Sequence, residues 1–187
     1  MDLNEKQISE YDENGWILLP ELFSKSEISV LEAAAMDVLR RPGPEVAREP
    51  NGDPHVCWGM HLFDERFGAL TRHPRLLLPV EQLMRGQVFV HQSRINIKQQ
   101  NGSIVEWHQD FGNWYNGDLM PTPRAMNIAI FLDEVTEFNG PLLLIPGSHK
   151  KGLLDASHDT TTTSYPLWTI NNDIVKELVN NAGGLKN

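Results

Sequence analysis

The spacing of apolar residues changes character at residue 87, and that change restricts the architecture more than any other feature of the chain. Before it, Ile28, Leu31, Ala35, Val38 and Leu39 recur at helical spacing and predict a helix with one buried face, running to about Arg40. Ser24, with Glu27 three residues on, supplies the reciprocal cap that opens it. Residues 3–14 read as a short amphipathic helix carrying Ile8 and Tyr11, closed by Gly15. A further helical stretch covers 61–85, interrupted near His73-Pro74, because the residue before a proline avoids the helical region. Between these, 16–19 form an apolar run expected as a buried strand. The Pro- and Gly-rich residues 41–56 are expected as an irregular, mobile loop of the kind that covers sites.

After residue 87 the chain reads as short strands at 88–90, 94–98, 125–132 and 142–145, with Asn101-Gly102 as a hairpin turn. Alternation is clearest at 94–98, where one face can be polar and the other packs a core. Residues 156–170, with Thr160 to Thr163 in a row, are expected as an exposed loop that also closes over a substrate. A last helix spans 172–181, with Asp173 in its first turn and Gly183-Gly184 after it. Helices followed by strands suggest an α+β arrangement around a barrel or sandwich.

With 187 residues, 40% hydrophobic and 22% charged, the chain fits one globular domain, 1–187. A net charge of −9 repels nucleic-acid phosphates and anionic membranes, which leaves small molecules as the expected partners. The N-terminus lacks a basic stretch followed by an apolar run, and no apolar run approaches the roughly 18 residues of a membrane span, so a cytoplasmic protein is expected. Cys57 is the single cysteine; an intrachain disulfide is impossible, and the residue is expected to be buried and inert.

The chemistry-bearing stretch is Trp107-His108-Gln109-Asp110-Phe111. On an extended segment, residues two apart point to the same side, so the His108 imidazole and the Asp110 carboxylate can bind one metal ion. His-x-Asp alone is equally compatible with a surface turn. Gln92 and Asn96, two strand steps apart with Arg94 between, either line a polar cavity or face solvent, and Trp114 is either a substrate contact or a core aromatic. His149 in Pro146-Gly147-Ser148-His149 reads as a turn residue, and His55, His61, His73 and His158 as incidental.

The segments His91 to Lys98, Trp107 to Trp114, Phe138-Asn139-Gly140-Pro141-Leu142 and Ile145 to His149, in that order, make the chain resemble ectoine hydroxylases and bacterial hydroxylases of free amino acids. These belong to the phytanoyl-CoA dioxygenase superfamily of Fe(II)/2-oxoglutarate-dependent enzymes. The resemblance implies a double-stranded β-helix, the cupin-like jelly roll, with helices packed outside. It implies hydroxylation of an unactivated carbon of a small polar metabolite, using O2 and 2-oxoglutarate and releasing succinate and CO2. By position, His108 and Asp110 match two iron ligands, Asn96 a residue that hydrogen-bonds 2-oxoglutarate, and Gln92 and Trp114 substrate contacts. An aspartate at 110, where related halogenases carry a small residue, favours hydroxylation over halogenation.

Departures from the pattern set further expectations. Gly112, Asn113 and Tyr115 differ from the ectoine-hydroxylase pattern and favour an amino acid as substrate. No histidine follows His158 and no arginine follows Arg124, so the third iron ligand and the arginine that pairs with 2-oxoglutarate are missing, and the domain is expected to lack its C-terminal strands. A truncated enzyme, a non-catalytic ligand-binding homologue and a partner that supplies the missing strand all fit that observation. A cupin-like isomerase or lyase using another divalent metal is the remaining alternative, and both monomer and homodimer are compatible with the chain.

Overall fold

Ser24 starts the longest helix, α2 (Lys25–Leu39), as its sequence predicts: its Oγ accepts from the Glu27 amide at 3.3 Å while its own amide donates to Glu27 Oε2 at 2.8 Å. Leu31, Ala34, Ala35, Val38 and Leu39 form the buried face. Ala34, Ala35, Val38 and Leu39 pack over a three-stranded antiparallel sheet of β1 (Val46–Arg48), β2 (Pro54–Trp58) and β3 (Arg94–Asn96), in that spatial order. The register sets Val46 and Ile95 on either side of Cys57, and Val56 opposite Asn96. Cys57 is fully buried at the centre of this core, and burial pushes its thiol pKa up, as suits a packing residue. Each large aliphatic side chain removed from water here contributes about 1.5–3 kcal/mol.

A 3-10 turn (Met60–Leu62), α3 (Glu65–Thr71) and α4 (Pro74–Met84) follow β2. The interruption expected at His73-Pro74 is present; the His73 ring accepts from the Arg75 amide at 3.2 Å and caps α4. Arg75 reaches back to Glu27 in an ion pair that, with Ser24, holds the glutamate carboxyl down at about 2.

The computed structural model describes residues 2–98, 104–161 and 166–185. They fall into two compact units, the first built from Met1–Leu3, Leu19–Gly102 and Met126–Gly140, the second from Asn4–Leu18, Ser103–Ala125 and Pro141–Asn187. The second contains α1 (Glu5–Asn14), α5 (Asp110–Asp118), the antiparallel hairpin of β4 (Ala156–Asp159) and β5 (Leu167–Ile170), and α6 (Asn172–Ala182). Its core is Ile145, Ile170 and Val175, with Trp107 and Leu154 packed against them. Gly15 closes α1 at φ +87°, its amide donating to the Tyr11 carbonyl at 2.8 Å. A Cβ there would run into His149, whose Nε2 lies 3.3 Å from the Asp12 carbonyl oxygen, so His149 is a turn histidine locked against the end of α1.

Several expectations fail. Residues 41–56 are not irregular: they hold β1 and the start of β2, joined by a turn in which the Glu49 amide donates to the Asp53 carbonyl at 2.8 Å. The prolines misled because Pro50 lies in the turn and Pro54 at the first strand position, where no ladder donor is lost. Residues 156–170 likewise form the β4–β5 hairpin rather than one loop, although Thr162 and Thr163 lie outside the described residues, as does the Asn101-Gly102 turn. The apolar runs at 16–19, 88–90 and 125–132 are not strands, and the run at 142–145 holds only an isolated bridge residue, Leu144. Phe89 is 85% exposed and Leu18 64%; an apolar run becomes a strand only through a paired neighbour, and none of the described residues forms a ladder with these.

Candidate metal centre

The turn that carries His108 and Asp110 begins where the chain leaves the second core. Trp107 packs on that core, and its carbonyl accepts from the Ile170 amide at 2.7 Å. His108 forms a bridge opposite Thr169 of β5. Gln109 is still extended, at φ −104° and ψ 129°, and caps α5, whose first residue is Asp110. The uniformly extended His-x-Asp segment expected from spacing is therefore corrected: the helix starts at Asp110. Helix α5 was hidden by Gly112, Asn113, Asn116 and Gly117, which are weak helix formers.

The side chains converge all the same. His108 Nε2 lies 3.4 Å from Asp110 Oδ1, both groups partly shielded at 20% and 31% exposure. The other ring nitrogen, Nδ1, is 2.8 Å from the Glu106 carbonyl oxygen. A carbonyl only accepts, so Nδ1 donates to it, which leaves Nε2 as the ring nitrogen that faces the carboxylate and is available to a metal ion. Two donors bound side by side to one divalent ion at about 2.1 Å each lie roughly 3 Å apart. The donor set, an imidazole with its orientation fixed by a backbone carbonyl and an adjacent carboxylate, fits such an ion. Asp110 also occupies the first turn of α5, where the helix dipole favours negative charge. Among the described residues, no third His, Cys, Asp or Glu joins these two in a metal-holding group.

Trp114 lies one helical turn after Asp110, half-buried on α5, so the two share a face. Phe111 and Tyr115 make a ring contact at 5.8 Å on the same helix. Asn96 belongs to the first unit, on β3, and is exposed; Gln92, also in that unit and exposed, precedes the strand rather than lying on it. Of the remaining histidines, His55 is 3% exposed with Nδ1 at 3.2 Å from Glu49 Oε1. Burial lowers its pKa, Glu49 opposes that shift, and Lys98 adds to it. His61 Nδ1 meets Ser93 Oγ at 2.5 Å, and His158 stacks on Trp168 at 4.9 Å.

Spacing along the chain did not reveal two amides beside the candidate ligands. Gln109 Nε2 donates to the Gly152 carbonyl at 2.8 Å, and its Oε1 accepts from the Leu154 amide at 2.9 Å. Asn113 Oδ1 accepts from the Trp168 amide at 2.8 Å, while Nδ2 donates to the Gln109 carbonyl at 3.0 Å.

The chain is similar to known proteins along most of its length. The chain is 41% identical over 147 residues to L-proline trans-4-hydroxylase of Streptomyces griseoviridis, a match covering 78% of this chain and 55% of that protein. It is 36% identical over 155 residues to ectoine dioxygenase of Bordetella parapertussis, covering 80% and 50%. The chain thus spans about half the length of these relatives. The crystal structure of EctD from S. alaskensis with 2-oxoglutarate and 5-hydroxyectoine superposes with a TM-score of 0.81 at 27% identity, over 96% of this chain and 61% of that one. EctD from the same source with bound Fe also matches at 0.81. The mixed helix-and-strand fold is therefore the one those structures share with this chain. The profile of the family described as phytanoyl-CoA dioxygenase (PhyH) matches residues 11–182, and the chain belongs to that family.

Proposed function

We propose that this protein hydroxylates a free amino acid or a close derivative, using Fe(II), 2-oxoglutarate and O2, on a jelly-roll scaffold. The observation that carries the reading is the convergence of His108 Nε2 and Asp110 Oδ1 at 3.4 Å, with the imidazole ring oriented by the Glu106 carbonyl. The chemistry a ferrous ion supplies when bound with 2-oxoglutarate is oxidation of an unactivated C–H bond by O2, with succinate and CO2 released.

His108 would hold the metal through Nε2, because the Glu106 carbonyl engages Nδ1 and leaves the other ring nitrogen facing Asp110. Asp110 would hold it through its carboxylate, presented from the first turn of α5. Trp114, on the same helix face, is assigned to the substrate, and Asn96 to the 2-oxoglutarate carboxylate by an amide hydrogen bond. Gln92 is assigned to polar groups of the substrate. An amino acid is favoured over ectoine because Gly112, Asn113 and Tyr115 replace the ectoine-hydroxylase residues, and because L-proline trans-4-hydroxylase is similar at 41% identity.

Anaerobic addition of Fe(II) and 2-oxoglutarate to the full-length protein should produce a visible charge-transfer band. Admission of O2 with L-proline or related amino acids should then give succinate and a hydroxylated product. Asp110→Ala should abolish both signals. A full-length protein that gives neither band nor succinate refutes the assignment; succinate from ectoine but from no amino acid corrects the substrate.

A further inference from the structure

We propose that Gln109 and Asn113 are positioning residues whose side-chain amides fix the turn carrying His108 and Asp110, and thereby set how tightly a divalent cation is held there. The proposal rests on the reading of those two residues as metal ligands.

Gln109 is the pivot between the ligands. Its backbone is the last extended position before α5, so rotation about its ψ would swing the Asp110 carboxylate away from the His108 ring. A residue in this place ordinarily caps the helix with its own side chain, yet Gln109 makes no such bond. Its amide instead reaches 43 and 45 residues along the chain, donating to the Gly152 carbonyl and accepting from the Leu154 amide. This pairing copies the two bonds a neighbouring strand would make, and ties the turn to the segment leading into β4.

Asn113 completes the restraint from the other side. Its Nδ2 and its backbone amide both donate to the Gln109 carbonyl, at 3.0 and 3.2 Å, while Oδ1 accepts from the Trp168 amide of β5 at 2.8 Å. The carbonyl of the pivot residue is thus doubly held, and β5 is the strand whose Thr169 sits opposite His108. Each side chain uses one donor and one acceptor at once, which a carboxamide provides on two separate atoms. Together the two amides restrain the backbone torsions between the ligands, which is the means by which groups outside a metal's own ligands tune its affinity.

The test titrates Co(II), a spectroscopic substitute for Fe(II), into the full-length protein without oxygen. The dissociation constant is read from the visible ligand-field absorption, and the melting temperature of the metal-free protein is recorded in parallel. Gln109→Met keeps the side-chain length and removes both hydrogen-bonding groups; Asn113→Leu does the same at its position. Asn116→Ala is the control, because it removes only a bond within α5, from Nδ2 to the Gly112 carbonyl at 2.8 Å. Gln109→Met and Asn113→Leu should each weaken Co(II) binding about ten- to a hundredfold. Asn116→Ala should leave affinity unchanged whatever it does to melting. Affinity indistinguishable from wild type in the first two variants, or an equal loss in Asn116→Ala, overturns the proposal. If either variant does not fold, the other decides. Asp110→Ala separates the two levels of the argument: if it binds Co(II) as wild type does, the ligand assignment itself has failed.

Discussion

His55 shows how a buried titratable side chain leaves a signature in stability. Burial is the dominant influence and lowers its pKa from 6.5, Lys98 works in the same direction, and Glu49 works against both. On acidification the unfolded chain therefore takes up this proton before the folded one does. Stability should fall as pH drops below about 6.5, and the loss continues until the folded imidazole is itself protonated. Melting temperatures between pH 7.5 and 5 should decline less steeply in His55→Gln than in wild type; parallel slopes would show that His55 does not govern the acid response. Sequence reasoning treated this histidine as incidental because the Glu49 contact depends on the β1–β2 turn, which the prolines concealed. His108 and Asp110 were legible for the opposite reason. Their two-residue separation keeps them close along the chain, and the extended backbone at Gln109 turns both side chains to one side even though the helix starts at Asp110. Gln109 and Asn113 were not legible, since nothing local tells an amide that its partners stand at 152, 154 and 168.

Elements whose signals are local were read well. Helix α2 needed only Ser24, Glu27 and the periodicity of its buried face, and the break before α4 needed only Pro74. The end of α1 also announced itself through Gly15, but the sequence did not disclose that the same glycine makes room for His149. Gly15→Ala should cost about 1–2 kcal/mol from its left-handed backbone alone. Displacement of His149 adds to that, so the measured loss in urea unfolding should exceed this figure. A loss below 1 kcal/mol would mean that the contact relaxes without consequence. Strands were read poorly because hydrophobicity identifies a segment fit for a sheet without naming its neighbour. The two hairpins formed where turn geometry brought segments together within a few residues, while 88–90 and 125–132 found no such partner among the described residues.

For the molecule as a whole, the family and its chemistry were easier to read than the path of the chain. The ordered motifs from His91 to His149 pointed to the family that residues 11–182 match, whereas nothing in them foretold the interleaving of the two units. The backbone passes from one unit to the other after residues 3, 18, 102, 125 and 140. Pieces far apart in sequence must therefore meet before either core exists, a topology that slows folding. Trypsin cleavage after the exposed Lys151 provides the check: the piece from Gly152 onward should stay with the remainder through Ile170 and Trp107 in native buffer and part from it only in denaturant. Pieces that separate without denaturant would show that the second unit is not held as described. Neither unit can thus be transplanted by splicing one continuous stretch of the gene into a new host. The reading frame itself knits them, and an engineer wishing to move the His108 turn must carry both.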